Sequence, residues 1–230
     1  MKVVWPTGTR VGSEFTIRCT LAALNRSSLD ASEYVALTPG RNDSRAKEAG
    51  RPQFKEWRGL FEGTKYLRAH NIQYCKVEHP GKDLLTLEIA REWPQCRFVA
   101  PYRSIRRILE SHGRLSWGQT METVARNIIA DLKVLEILVT KGRLFVIPVE
   151  RPEEFNSVAF LDFLGAHHSD RFAKFCSEWP KVNTSQYQIE KSGEAPKIDD
   201  FQDKVHRCIG LLREVDEDYK LLVKKSAGGD

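Results

Sequence analysis

Apolar positions along this chain alternate between short β-prone runs and longer stretches with helical spacing. Lys2 to Trp5 reads as a strand, Pro6-Thr7-Gly8-Thr9-Arg10-Val11-Gly12-Ser13 as a glycine-bearing turn, and Glu14 to Asn25 as a helix. From Arg26 to Gln53 the chain is polar, rich in Ser, Asp, Arg and Gly, and punctuated by Pro39-Gly40 and Gly50-Arg51-Pro52, which predicts a long surface excursion. A strand over Asn71 to Val77, an amphipathic helix over Lys82 to Trp93 carrying Leu84, Leu85, Leu87, Ile89 and Ala90, and a strand over Cys96 to Tyr102 follow. Helical patterns then cover Ser104 to His112 and Gln119 to Lys141, before a β-prone run from Leu144 to Val149 closed by Arg151-Pro152. Beyond it, Phe155 to Leu164 and Asp170 to Trp179 read as helices and Pro180 to Lys197 as a polar loop. Phe201 to Lys225 reads as a last amphipathic helix, and Ser226 to Asp230 as a frayed tail. Strands and helices that alternate in this way predict an α/β fold, three-layer α/β/α, with a mainly parallel sheet covered on both faces. The stripe Val205, Cys208, Ile209, Leu212, Val215, Tyr219 and Leu222 on the last helix could face the core or a second subunit, and the core is the expected choice.

Composition narrows the class. With 230 residues and 41% hydrophobic content, the chain is expected to form one domain over 1–230. Its 29% charged residues and mean hydropathy of -0.44 belong to ordinary soluble proteins. No stretch reaches the roughly 18 to 20 apolar residues of a spanning helix, and Met1 to Thr9 lacks the apolar run of a secretory signal. A cytoplasmic protein without a membrane partner is therefore expected. Cys19, Cys75, Cys96, Cys176 and Cys208 form no CxxC pair and are odd in number, so reduced thiols are expected, and no metal site. A net charge of +5, spread among acidic residues rather than gathered, argues against a nucleic-acid partner but suits a basic cleft for a small polyanion.

The candidate chemistry begins in the first turn. Gly8-Thr9-Arg10-Val11-Gly12-Ser13 lies where a strand gives way to a helix, so backbone N–H groups and the helix N-terminus can face an anion, and Arg10 adds a full charge. A simple glycine turn with Ser13 as helix N-cap is the alternative. The segment is not a Walker A motif, because no lysine separates Gly12 from Ser13. The spacing from Arg10 to Phe15, Arg-x-Gly-Ser-x-Phe, instead resembles the 5′-phosphosulfate loop of the sulfotransferase family.

Two further segments resemble the same family. Arg103, just after the third strand, and Ser111, eight residues on, match the positions that hold the 3′-phosphate of the donor nucleotide. A helix straight from one to the other would separate them by about 12 Å, so a shared phosphate requires a bend. Arg103, Arg106 and Arg107 as a solvated helix face is the alternative. Cys75-Lys76-Val77-Glu78-His79-Pro80 resembles the stretch in which a Lys and a base face the sulfuryl group; Lys76 falls on the Lys, and Glu78 on the base, with His79 as the fallback. The alternative is a strand end at which Lys76 and Glu78 share one face and pair, with His79 held extended before Pro80. More loosely, Phe145-Val146-Ile147-Pro148-Val149-Glu150 resembles the strand of the family's Tyr-Glu-Asp-Leu element, Phe160 to Gly165 its Phe-Leu-Gly helix end, and Val182-Asn183-Thr184-Ser185 a loop that closes over the nucleotide. The order is preserved from Val3 to Ser185, with Leu24 to Gln73 unmatched.

The resemblance implies a P-loop-like, sulfotransferase-type fold and a PAPS-dependent sulfotransferase (PAPS being 3′-phosphoadenosine 5′-phosphosulfate) acting on a hydroxyl of a carbohydrate or small-molecule acceptor. Thr9, Arg10, Val11, Gly12, Ser13, Glu14, Phe15, Arg103 and Ser111 would bind the donor, and Glu78, Lys76, His79 and Arg10 would carry the chemistry, without a metal. Two positions depart from the pattern. Glu14 stands where the family has Ser or Thr, and its carboxylate would repel the donor unless it turned away or paired with Arg18. The turn after the third strand reads Arg103-Ser104-Ile105 instead of Arg-Asp-Pro. Phe54, Trp57, Phe61 and Tyr66 could line an acceptor pocket, although their spacing is that of core residues. A nucleotide-dependent phosphotransferase and a non-catalytic nucleotide-binding module are the rival readings.

Overall fold

The computed structural model describes residues 1–8, 12–37, 60–83, 85–113, 120–179, 212–213 and 215–228. Five strands form one sheet in the order β2-β3-β1-β4-β5, where β1 is Val3–Thr7, β2 Tyr34–Leu37, β3 Tyr74–Glu78, β4 Arg97–Tyr102 and β5 Leu144–Pro148. Every pairing is parallel. The fold is therefore α/β, as the alternation of patterns predicts.

Each strand sends alternate side chains to opposite faces. Val4, Cys75, Val77, Phe98, Ala100 and Val146 meet one set of helices: α2 (Leu60–Ala69), α4 (Leu85–Glu92), α5 (Ile105–Gly113), α6 (Met121–Thr140) and a last helix, α9, over 215–226. Val3, Trp5, Val99, Phe145 and Ile147 meet α1 (Ser13–Ala23), α7 (Ser157–Leu164) and α8 (Asp170–Ser177) on the other. A short helix, α3 (Pro80–Asp83), leads from β3 into α4. Burying Trp5, Phe98, Phe145 and Phe160, each fully enclosed, contributes about 1.5–3 kcal/mol per side chain. Leu212, Tyr219 and Leu222 of the C-terminal stripe lie in this core, as expected; Val205, Cys208 and Ile209 lie outside the described residues.

The seam between β1 and β4 is short for a reason legible in the chain. The Val3 amide donates to Gln73 and the Thr7 carbonyl accepts from His79, so odd residues of β1 face β3 and even ones face β4. On β4, the Arg97 amide donates to Lys2 while that of Phe98 donates to Arg143, so its odd residues face β1. Beyond the Val4 and Val99 amides, the next donors along the seam are thus Pro6 and Pro101, which have no N–H. The β1–β4 register accordingly stops at Val4 and Phe98, whereas β1–β3 runs on to Thr7 and Glu78 and β4–β5 to Tyr102 and Pro148. Pro6 sits inside β1 rather than ending it.

Other expectations need correction. The stretch Arg26 to Gln53 is not all surface: Tyr34–Leu37 forms the edge strand β2, with Val35 and Leu37 fully buried, and Arg26 binds Glu33 and the Tyr74 hydroxyl beneath it. Four apolar residues sufficed because β3 offered a partner. Ser226 is not frayed; its hydroxyl accepts from the outward-facing amide of Val146 at 2.9 Å and donates to the Val223 carbonyl at 3.0 Å, which satisfies a donor on the edge strand β5. The helix expected over Lys82 to Trp93 occurs as α3 and α4, and that from Phe155 begins at Ser157, capped by Asn156, after a 3₁₀ turn at Pro152–Glu154. The helix expected to reach Trp179 ends at Ser177. The polar loop from Pro180 to Lys197 and the loop Val182 to Ser185 lie outside the described residues.

Candidate functional site

The connection after β1 runs to α1 on one face, whereas those after β3 and β4 run to α3 and α5 on the other. Connections that diverge in this way leave their opening at the carboxyl ends of the strands, where open α/β sheets bind ligands. The three segments singled out from the sequence follow β1, β3 and β4, which are neighbours in the sheet.

After β1, Thr9, Arg10 and Val11 lie outside the described residues, so the candidate cation at Arg10 does too. Gly12 caps α1 with φ +99°, a left-handed conformation that disfavours any side chain. A Cβ there would also lie 3.0 Å from Val149 Cγ1. Ser13 is the first helical residue and not the N-cap, and among the described residues no side chain caps the helix. The first intrahelical bond runs from the Thr16 amide to Gly12 at 3.0 Å, so the amides of Ser13, Glu14 and Phe15 have no acceptor within the helix. The Thr7 hydroxyl, at the end of β1, is buried and has no hydrogen-bond partner among the described residues. Glycine, first-turn amides and a buried hydroxyl suit an anion.

The side chains of Glu14 and Phe15 go elsewhere. Glu14 is exposed and accepts from Arg18 Nε at 2.9 Å, the escape that the i,i+4 spacing allowed. Phe15 is buried edge-on against Trp179, with ring centroids 4.6 Å apart, and Trp179 Nε1 donates to the Val149 carbonyl at 3.1 Å. Val149 therefore anchors the start of α1 twice, through Gly12 and through Trp179.

After β3, Lys76 Nζ and Glu78 Oε1 are 2.5 Å apart, both side chains three-quarters or more buried. The pair expected of a shared face is present, beside Thr7 in the β1–β3 register. His79 is not extended, as its place before proline suggested: its φ is +55°, and its amide donates to the Thr7 carbonyl at 2.9 Å. The chain must reverse between the strand end at Glu78 and Pro80, the first residue of α3, and His79 makes that reversal. Pro80 is well placed, since a first helical residue needs no N–H. The turn is fastened to α6 by Asp131, whose carboxylate accepts the Gly81 amide at 2.9 Å.

After β4, Arg103 Nε donates to Glu150 Oε1 at 2.8 Å, and the Ser104 amide and hydroxyl reach Glu150 Oε2 at 3.4 Å and 3.3 Å. Asp216 on α9 accepts from the Ile105 amide and the Tyr102 hydroxyl, both at 3.2 Å. Burial, and then the Asp216 carboxylate, push the Tyr102 phenol far above its ordinary range. Ser111 is buried along an uninterrupted α5, so the bend expected between Arg103 and Ser111 does not occur within Ile105–Gly113. Arg106 and Arg107 form a solvated face with Glu110.

Glu150, Asp216 and Asp131 were not singled out from the sequence. Glu150 directly follows a predicted strand, the position from which a side chain reaches the carboxyl edge, and that was its available signal. Tyr66 is fully buried in the core; Phe54, Trp57 and the Phe61 side chain lie outside the described residues. Cys19, Cys75, Cys96 and Cys176 are free thiols. Among the described residues, no helix is long and apolar enough to cross a membrane, and no three His, Cys, Asp or Glu side chains are grouped to hold a metal ion.

No family model and no curated protein matches the chain. Among solved structures it is similar to the mouse sulfotransferase SULT7A1 complexed with PAP, at 12% identity, over 80% of this chain and 67% of that one, with a TM-score of 0.46. A likeness of this extent sets neither a substrate nor site residues for this chain.

Proposed function

We propose that this chain is a sulfotransferase, moving a sulfuryl group from PAPS to a hydroxyl of a carbohydrate or small-molecule acceptor. The observation that carries the reading is the succession, along three adjacent strand ends, of a glycine-capped helix start, the Lys76–Glu78 pair and Arg103.

When bound, PAPS supplies the sulfuryl group on a phosphosulfate anhydride. The first-turn amides of α1 and Arg10 hold the 5′-phosphosulfate end, and Arg103 holds the 3′-phosphate; Ser111, buried along the uninterrupted α5, does not share it. Lys76 turns from Glu78 to the bridging oxygen as the sulfur–oxygen bond breaks and neutralises the charge that develops there. Glu78, relieved of its cation, accepts the proton of the acceptor hydroxyl while that oxygen bonds to sulfur, and His79 is the alternative base. A singly charged sulfuryl group requires little more neutralisation than these cations provide.

Calorimetric titration with 3′-phosphoadenosine 5′-phosphate, ATP and the Arg103→Ala variant tests the donor site. Micromolar binding of the bisphosphate that Arg103→Ala abolishes supports it; no binding, or preference for ATP, rejects it. Glu78→Gln should then lower the transfer rate by about 10²–10⁴-fold. Because each described cation of the site is already paired with a carboxylate, a nucleotide-binding module without catalysis is the second reading; bisphosphate binding with no transfer to any acceptor would favour it.

A further inference from the structure

The cation assigned to the 3′-phosphate is not waiting in solvent. Arg103 Nε, the Ser104 amide and the Ser104 hydroxyl converge on the one carboxylate of Glu150, and the side chains of Arg103 and Glu150 are only 12% and 26% exposed. Two geometries would give Glu150 different roles. A residue that merely orients a guanidinium binds it away from the helix end, whereas Glu150 also takes the hydroxyl and amide that open α5. Those are the donors an incoming phosphate at Arg103 would use. The carboxylate thus stands where the anion would stand. Its backbone position makes this consequential, since its neighbour Val149 abuts Gly12 at the other candidate phosphate contact.

We infer that Glu150 is an internal competitor for the nucleotide's 3′-phosphate: the chain's own carboxylate fills the anion position beside Arg103, and the donor must displace it to bind. The inference rests on the sulfotransferase reading and adds regulation of its donor site. A set of three donors shared with a partly exposed carboxylate is worth a modest competition. Removing the charge should therefore tighten bisphosphate binding by roughly fivefold to tenfold.

The test is calorimetric titration of the full chain and its Glu150→Gln, Glu150→Asp, Glu154→Gln and Arg103→Ala variants. Ligands are 3′-phosphoadenosine 5′-phosphate and adenosine 5′-monophosphate, with thermal melts as a check on folding. Glu150→Gln should bind the bisphosphate more tightly, by the stated factor, and the monophosphate unchanged within twofold. Glu150→Asp, whose shorter side chain withdraws the charge, should gain less, and keeps the test informative if Glu150→Gln unfolds. Glu154, already held by Arg151 at 2.7 Å, controls for loss of a nearby negative charge, and its Gln variant should not change either affinity. If Glu150→Gln binds the bisphosphate as wild type or more weakly while Arg103→Ala loses it, the inference is overturned and the donor site stands. If no variant binds the bisphosphate, both fall together.

Discussion

Replacing Gly81 by alanine tests how rigidly the Lys76–Glu78–His79 turn is mounted. In an exposed helix interior the change should stabilise by about 1 kcal/mol, because alanine is the better helix former. Here the sign should reverse. A Cβ at Gly81 would lie 2.2 Å from the carbonyl carbon of Ala130, 2.4 Å from its oxygen and 2.6 Å from the amide nitrogen of Asp131. All three atoms are backbone, so no side chain can swing aside, and α3 must back away from α6 by more than an ångström. Overpacking of this kind costs about 1–3 kcal/mol. The retreat also stretches the 2.9 Å bond from the Gly81 amide to the buried Asp131 carboxylate, and a hydrogen bond to a charged group is worth about 1.5–3 kcal/mol. A net loss of about 3 kcal/mol corresponds to a melting point about 10 °C lower for a chain of this length. Urea unfolding and thermal melts followed by circular dichroism measure it. Gly142→Ala separates space from backbone angle: it meets nothing within 4 Å but has φ +62°, so its cost should be only about 1–2 kcal/mol. A Gly81→Ala protein as stable as wild type, or more so, would refute the close helix contact and the mounting it implies.

Thr20→Val should destabilise by about 1–3 kcal/mol in urea unfolding, because it strips the buried Trp5 Nε1 of its acceptor at 3.0 Å while preserving shape; an unchanged midpoint would mean the indole finds another partner. Gly12→Ala should cost about 1–3 kcal/mol through its backbone angle and Val149 and weaken bisphosphate binding as well, whereas full affinity would remove the α1 start from the site. Stability should fall above pH 9, since burial raises the Cys96 thiol from 9.0 to about 12 and also raises those of Cys19 and the Tyr102 and Tyr219 phenols. Below the unfolded value both states hold the proton and the stability is intact; as pH rises through 9 to 12 only the unfolded chain releases it, which for Cys96 amounts to about 4 kcal/mol at the upper end. Urea midpoints at pH 8, 9.5 and 11 should decline, less steeply in Cys96→Ala, and a flat series would contradict the burial assigned to these groups.

What the chain disclosed in advance follows from how local each signal is. The alternation of patterns gave the parallel sheet because α1, α5 and α6 are long and periodic, and the gaps between strands require crossovers. Strand β2 was hidden, for Tyr34-Val35-Ala36-Leu37 is four residues in polar surroundings and becomes a strand only through pairing with β3. His79 was misjudged because the preference of a residue before proline is weaker than the need to turn from β3 into α3. The pairing of Glu14 with Arg18 was readable, being fixed by helix geometry. Glu150 and Arg103 are 47 residues apart, and no local rule brings them together; adjacency of β4 and β5 does.

Pro6 and Pro101 join fold to site. Proline inside a central strand normally argues against the strand, since a ladder bond is lost. Here both rings face the same seam, so a single gap absorbs both losses, and each strand keeps its other neighbour intact. Had either proline been one residue away in sequence, its nitrogen would have faced β3 or β5 and broken a continuous ladder instead. The gap falls at the carboxyl half of β1 and β4, between the segment bearing Gly12 and that bearing Arg103, the two that the proposed nucleotide would span. The same two residues that a propensity scale counts against the sheet therefore set where the β1–β4 ladder ends, at the carboxyl side of the two central strands.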